Sequence, residues 1–160
     1  MLTRREVIVG GALAASTASL EEANAAAATT GMVAAAAAFV AVLDDDEKKK
    51  AMLPFNSDER LNWHYVPMER KGLHYKSMTP AQQEKAHALL LVGLSSAGYK
   101  KIEAIRQLEN VLHELENGNP IRDPGLYYFT IFGEPSEQGS WGWRYEGHHV
   151  SLHWTILHPL

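Results

Sequence analysis

The residues best suited to chemistry in this 160-residue chain cluster near its end, in Trp141-Gly142-Trp143-Arg144-Tyr145-Glu146-Gly147-His148-His149 and the stretch that follows to Ile156. Up to Glu146 the apolar residues are odd-numbered: Trp141, Trp143, Tyr145. From Val150 they are even-numbered: Val150, Leu152, Trp154, Ile156. Side chains on a strand alternate between faces, so one unbroken strand cannot hold both sets on one side. The parity must flip near Gly147-His148. A two-residue hairpin turn does this most simply, and Gly followed by any residue suits type II′. A bulge at Gly147 is the competing device. The hairpin sets Glu146 opposite His149, Tyr145 opposite Val150, Arg144 opposite Ser151, Trp143 opposite Leu152, Gly142 opposite His153 and Trp141 opposite Trp154. All the aromatics then share one face. Arg144, Glu146, His149, Ser151 and His153 share the other, which is expected to line a pocket.

A carboxylate and an imidazole facing each other across a hairpin would be ~5 Å apart at Cβ. That pair suits general acid–base chemistry or a metal shell. The candidate catalytic residues are therefore Glu146, His149 and Arg144, with the Arg144 guanidinium suited to an anionic substrate. The chain has no cysteine, which leaves imidazole and carboxylate as metal ligands. His148, His149 and Glu146 are the candidates for a divalent metal. His149 and His153 are ~13 Å apart along a strand and cannot share one ion unless the strand bends. His64 and Arg70, from an earlier loop, are candidate substrate-binding residues. The same polar set would also arise on the solvated face of any antiparallel sheet. His87 and His113 are assigned no role. No GxSxG, Walker loop or HExxH is present, so those enzyme classes have no support.

The elements that must position these residues are legible in part. Met32 to about Leu53 reads as one helix. It opens on the run Ala34–Ala38 and ends on Asp44/Lys48, Asp45/Lys49 and Asp46/Lys50 pairs, before Pro54. Leu61–Val66 has the composition of a short strand, with Pro67 and Gly72 as breakers. Thr79-Pro80-Ala81-Gln82 is a capping box with Pro at the first helical position. The helix it starts should run to about Ser96, closed by Gly98. A second helix, from about Tyr99 to Glu116, carries an apolar stripe of Ile102, Ile105, Leu108, Val111, Leu112 and Leu115. The two helices should form a tight hairpin. Tyr127–Phe132 reads as a strand. The expected fold is α+β: N-terminal helices including a helical hairpin, then an antiparallel β-hairpin and sheet.

Residues 1–25 read as a cleavable leader. Thr3-Arg4-Arg5-Glu6-Val7-Ile8 fits the twin-arginine pattern, Val7–Leu20 is mildly apolar, and Ala23-Asn24-Ala25 offers a small-x-small cleavage site; an ordinary Sec signal with two incidental arginines is the competing reading. The expectation is a periplasmic or secreted protein with one domain over 26–160. The net charge of −4 gives no basic surface for nucleic acid. Val7–Leu20 is shorter than the roughly 20 apolar residues needed to span a bilayer, and no second apolar span follows.

Several motifs together resemble a known family. They are Asn62-Trp63-His64 with Pro67, Arg70 and Gly72; Met78-Thr79-Pro80-Ala81-Gln82; Gly93-Leu94-Ser95 with Gly98-Tyr99; Arg122-Asp123-Pro124; Tyr128 with Ile131-Phe132-Gly133; and the Trp141–His149 segment, the most specific of them. From about Ala37 onward the chain resembles the exported family called domain of unknown function 3500. Where that family usually has Ser-x-Asn, this chain has Ser151-Leu152-His153. Family members are longer, so the resemblance implies that this chain is the N-terminal half of their domain and is truncated. It implies no established activity. The functional expectation is an exported metal-dependent or His/carboxylate-dependent enzyme acting on a small molecule. The alternative is a non-catalytic periplasmic ligand-binding or envelope-associated module.

Overall fold

The structure, a computed structural model, describes residues 23, 24 and 26–158. The leader expected over 1–25 lies almost wholly outside the described residues. The single helix expected over 32–53 is in fact two. α1 covers 26–41, and α2 is Asp45–Ala51. Asp44 divides them by capping α2: its side chain accepts the backbone N–H groups of Asp46 and Glu47, and Glu47 returns a bond to the Asp44 N–H. As a cap, Asp44 satisfies orphan donors that a mid-helix ion pair would leave open. None of the three acid–base pairs expected here forms among the described residues; Lys49 instead meets Asp46, three residues before it, at 2.7 Å.

α2 leads directly into β1 (Met52–Leu53), and β2 (Leu73–His74) follows an irregular segment. Both pair with the same edge of β3 (Tyr128–Phe132), end to end. β1 is parallel, with Met52 beside Ile131; β2 is antiparallel, with Leu73 beside Phe129. β4 (Trp141–Gly147) and β5 (Val150–Ile156) complete an otherwise antiparallel sheet in the order β1-β3-β4-β5.

The Thr79/Gln82 capping box starts α3 (Pro80–Gly93) as expected. Gln82 also ties the helix start to the α1–α2 break, donating to the Val42 carbonyl and to Glu47. α3 ends at Gly93, three residues early, and Ser95 rather than Gly98 marks the junction by capping α4 (Ser96–Leu115). The tryptophans fix that boundary. A Cβ on Gly93 would lie 2.7 Å from Trp143 Cζ2, and Trp154 Nε1 donates to the Gly93 carbonyl at 3.2 Å.

The aromatic face of the sheet is the core. Phe129 and Ile131 of β3 lie beside Tyr145 and Trp143 of β4, and α1 and α3 add Phe39, Leu89 and Leu90. Trp143 and Trp154 face each other across β4 and β5 with rings parallel, 3.8 Å between centroids. Trp154, not Leu152, is thus the partner of Trp143. The register is offset by two residues from the expected one, and the turn is His148-His149. His149 takes the left-handed φ of 58°. Gly147 stays in the strand. Its missing side chain makes room for a ring: a Cβ there would meet Tyr127 Cδ1 at 2.4 Å. Parity is the same for either turn, so the sorting of faces holds while the opposition of Glu146 and His149 does not.

Candidate functional site

The polar face of β4 is not wet. Residues 55–72 cross it, and Arg144 and Glu146 are each 1% exposed. This segment contains a single turn of 3-10 helix, Asp58–Leu61, and is otherwise irregular; the strand expected over Leu61–Val66 does not form. The reason lies in where its backbone groups are satisfied. The His64 N–H donates to Glu146 Oε1 at 2.7 Å, and the carbonyls of His64, Val66 and Met68 accept from the Arg70 guanidinium. The Tyr65 carbonyl accepts the His149 N–H. Side chains and a turn do here what a strand ladder would do elsewhere.

Four charges run in a line beneath this segment. Glu59 Oε1 is 2.8 Å from Arg144 Nη2, Glu146 Oε2 is 3.0 Å from Arg144 Nε, and Glu146 Oε1 accepts from Arg70 Nε at 3.0 Å. The Arg144–Glu146 contact is an ion pair whose N–H is poorly aligned, so both atoms lack a proper hydrogen bond. Arg144 Nη1 also donates to the carbonyls of Glu59 and Asn62. Burial raises the Glu59 pKa, but hydrogen bonds from Asn62 and Arg144, with the Arg144 charge, outweigh it and hold the carboxyl below its ordinary value. The line is neutral overall, and each guanidinium is spoken for by protein acceptors. A cleft of about 400 Å³ opens above it, lined by Asn62, His64, Glu69, Lys71 and the edge of Glu146.

The turn builds a second constellation. His148 Nδ1 bonds Glu109 Oε1 of α4, and the Glu109 carboxylate is 2% exposed with Oε2 unpartnered. The Tyr127 hydroxyl donates to the His148 carbonyl at 2.8 Å. Arg122, held by Glu116, approaches His148 Nδ1 at 3.4 Å. With its proton on Nδ1 the ring donates to Glu109 and carries its lone pair on Nε2. The ring of exposed His149 lies tilted against that of His148, 3.9 Å between centroids, and Tyr65 stacks on His149 at 6.3 Å. The void between Glu109, Met68 and Tyr127 is about 10 Å³, far below ligand size.

The candidates read from sequence thus divide. Arg144, Glu146, Arg70 and the His64 backbone come together under the irregular segment. His148 and His149 sit in the turn. His149 does not face Glu146, and Glu146 is enclosed by two guanidiniums. His153 lies on β5 beside Arg144, and partial desolvation of its ring and the Arg144 charge lower its pKa. Among the described residues, no three His, Asp or Glu side chains converge as a metal set.

Sequence reasoning missed Glu109. The stripe expected on α4 meets the core only at its start, through Ile102 and Ile105; further on Leu108, Val111 and Leu115 are at least half exposed while Glu109 is buried. A carboxylate seven residues after Ile102, on that helix's buried line, was the available signal.

The fold and site define an α+β protein: a mixed sheet with helices on its aromatic face, an irregular segment clamped over its charged face, and a carboxylate–imidazole pair at the hairpin turn. The chain belongs to the family described as protein of unknown function (DUF3500), whose model matches residues 25–159. The match itself lends no support to a missing second half. No curated protein and no solved structure matches the chain.

Proposed function

We propose that this chain is a His/carboxylate-dependent enzyme acting on a small molecule, with His148 as general base and Glu109 as the group that orients it. The observation that carries this reading is the buried Glu109 carboxylate on His148 Nδ1, which leaves Nε2 without a hydrogen bond to a described residue, on a side chain that is 11% exposed. His149 and Tyr65 supply the wall against which a substrate would lie. Arg144, Glu146 and Arg70 position the turn: Arg70 Nη2 donates to the Gly147 carbonyl, one residue before His148. A divalent cation on His148 and His149 would be a different use of the same turn.

The test is cleavage of a panel of chromogenic esters and phosphoesters, starting with p-nitrophenyl acetate. His148→Gln should abolish turnover, and Glu109→Gln should lower it about 100-fold, in the range of lost acid–base catalysis. Turnover equal to the parent's in both variants would refute the dyad. Metal analysis of protein purified from the cytoplasm checks the cation reading.

The alternative is a non-catalytic periplasmic or envelope-associated binding module. It is favoured by Leu61, Trp63, Tyr65 and Val66, large apolar residues exposed in a row. Stabilisation by a ligand without turnover would support it. The proposed location for either is the periplasm or beyond, reached by the twin-arginine route through Arg4 and Arg5. No described helix is long and apolar enough to cross a membrane.

A further inference from the structure

A cleft of about 450 Å³ lies where α2, β2 and the end of the irregular segment meet, and it shares no residue with the His148–Glu109 pair. That volume is in the range of small-molecule sites. Its lining is rich in donors. Lys50 and Lys71 are exposed, and their ammonium groups make no hydrogen bond to a described residue. His74 Nδ1 accepts the Ser77 N–H at 3.1 Å, which requires a lone pair on that nitrogen. The proton of the neutral ring is therefore on Nε2, which is left free to donate. Tyr128 packs edge-on against His74, with 5.5 Å between centroids, and adds a phenol.

The protonation states agree with this inventory. Burial, then the charges of Lys50 and Lys76, lower the His74 pKa, opposed by Asp123. The imidazole thus stays neutral, with its Nε2–H, at pH 7. Burial raises the Tyr128 pKa and keeps its proton in place. On the acceptor side, Glu59 is committed to Arg144, and Glu69 is the one carboxylate in the lining without an ion pair. Four donor groups therefore face one free acid.

We infer that this cleft binds a small anion, through a carboxylate or phosphate group held by Lys50, Lys71 and His74. The site is independent of the dyad, and either can fail without the other.

The experiment is an NMR titration of the full chain with inorganic phosphate and, separately, succinate, with chloride holding ionic strength constant. The His74 ring signals should shift saturably. The His74 pKa should rise when the anion is bound, because a nearby negative charge favours the imidazolium. The Lys50→Met/Lys71→Met double variant, with both changes on the surface, should keep the parent's dispersed spectrum and bind about tenfold or more weakly, a loss of ~1.4 kcal/mol. Saturation by phosphate alone assigns a phosphoryl ligand, and by succinate alone a carboxylate. A shift reproduced by chloride, an absence of saturation with both anions, or equal binding by the double variant would overturn the site.

Discussion

Glu146→Gln is the sharpest probe of the charged layer. Glutamine keeps the shape of the side chain and the bond from the His64 N–H, but it removes the charge between Arg70 and Arg144. Both guanidiniums are buried beside this position, their side chains 3% and 1% exposed. Glu59 then remains as the one carboxylate for two cations. Breaking one member of a buried ionic group costs about 3–5 kcal/mol, because the partners are left uncompensated. With a urea slope near 2 kcal/mol/M for a domain of this size, the unfolding midpoint should fall by about 2 M. The stacked Trp143 and Trp154 supply the fluorescence signal. Hydrogen exchange gives the local readout: the His64 amide should lose protection before the β3–β4 amides do. A midpoint within about 0.3 M of the parent would refute the reasoning, since it would show that the line of charges carries no net stability. Full stability with loss of ligand binding would instead make Glu146 a functional group.

Trp143→Ala should cost about 3–5 kcal/mol by urea melts, as large core truncations do. Gly147→Ala should cost about 1–3 kcal/mol by forcing the Tyr127 ring aside, whereas a turn glycine would make Gly147→Asn nearly neutral. His74 has a folded pKa below its ordinary 6.5, so the unfolded chain takes up the proton first as pH falls. Its contribution to stability is thus complete above about pH 6.5 and is lost as pH drops from there through the folded value; urea midpoints of His74→Gln should be flatter over that window. His149→Ala, at an exposed turn position, should leave the urea midpoint nearly unchanged while impairing turnover on the ester panel. Changing Arg4 and Arg5 together to Lys should stop export, measured by fractionation; unchanged secretion would refute the twin-arginine route.

The parity of aromatic residues was enough to sort β4 and β5 into a core face and a charged face, because alternation survives any even shift of register. It could not locate the turn. Gly147 looks like a turn residue, yet it is glycine because Tyr127, twenty residues earlier, lies against it. The α3 start was legible in full, since every group in the Thr79/Gln82 box is local. Leu61–Val66 was misread for the opposite reason. Its composition favours a strand, but its hydrogen-bond partners, Glu146 and Arg70, are side chains that no local pattern announces. Glu109 was hidden because its partner is thirty-nine residues away across the fold.

The clamp made by Glu146, Arg144 and Arg70 also dictates an order of events in folding. Residues 57–70 have almost no ladder or helix of their own, and their anchors lie 76 to 85 positions along the chain. Closing such long loops is entropically costly until β3 and β4 have paired and set the two β4 side chains on one face. The segment should therefore dock after the rate-limiting step. Substitutions in it would then hasten unfolding and leave the folding rate nearly unchanged, whereas those at Trp143 or Phe129 would slow folding itself.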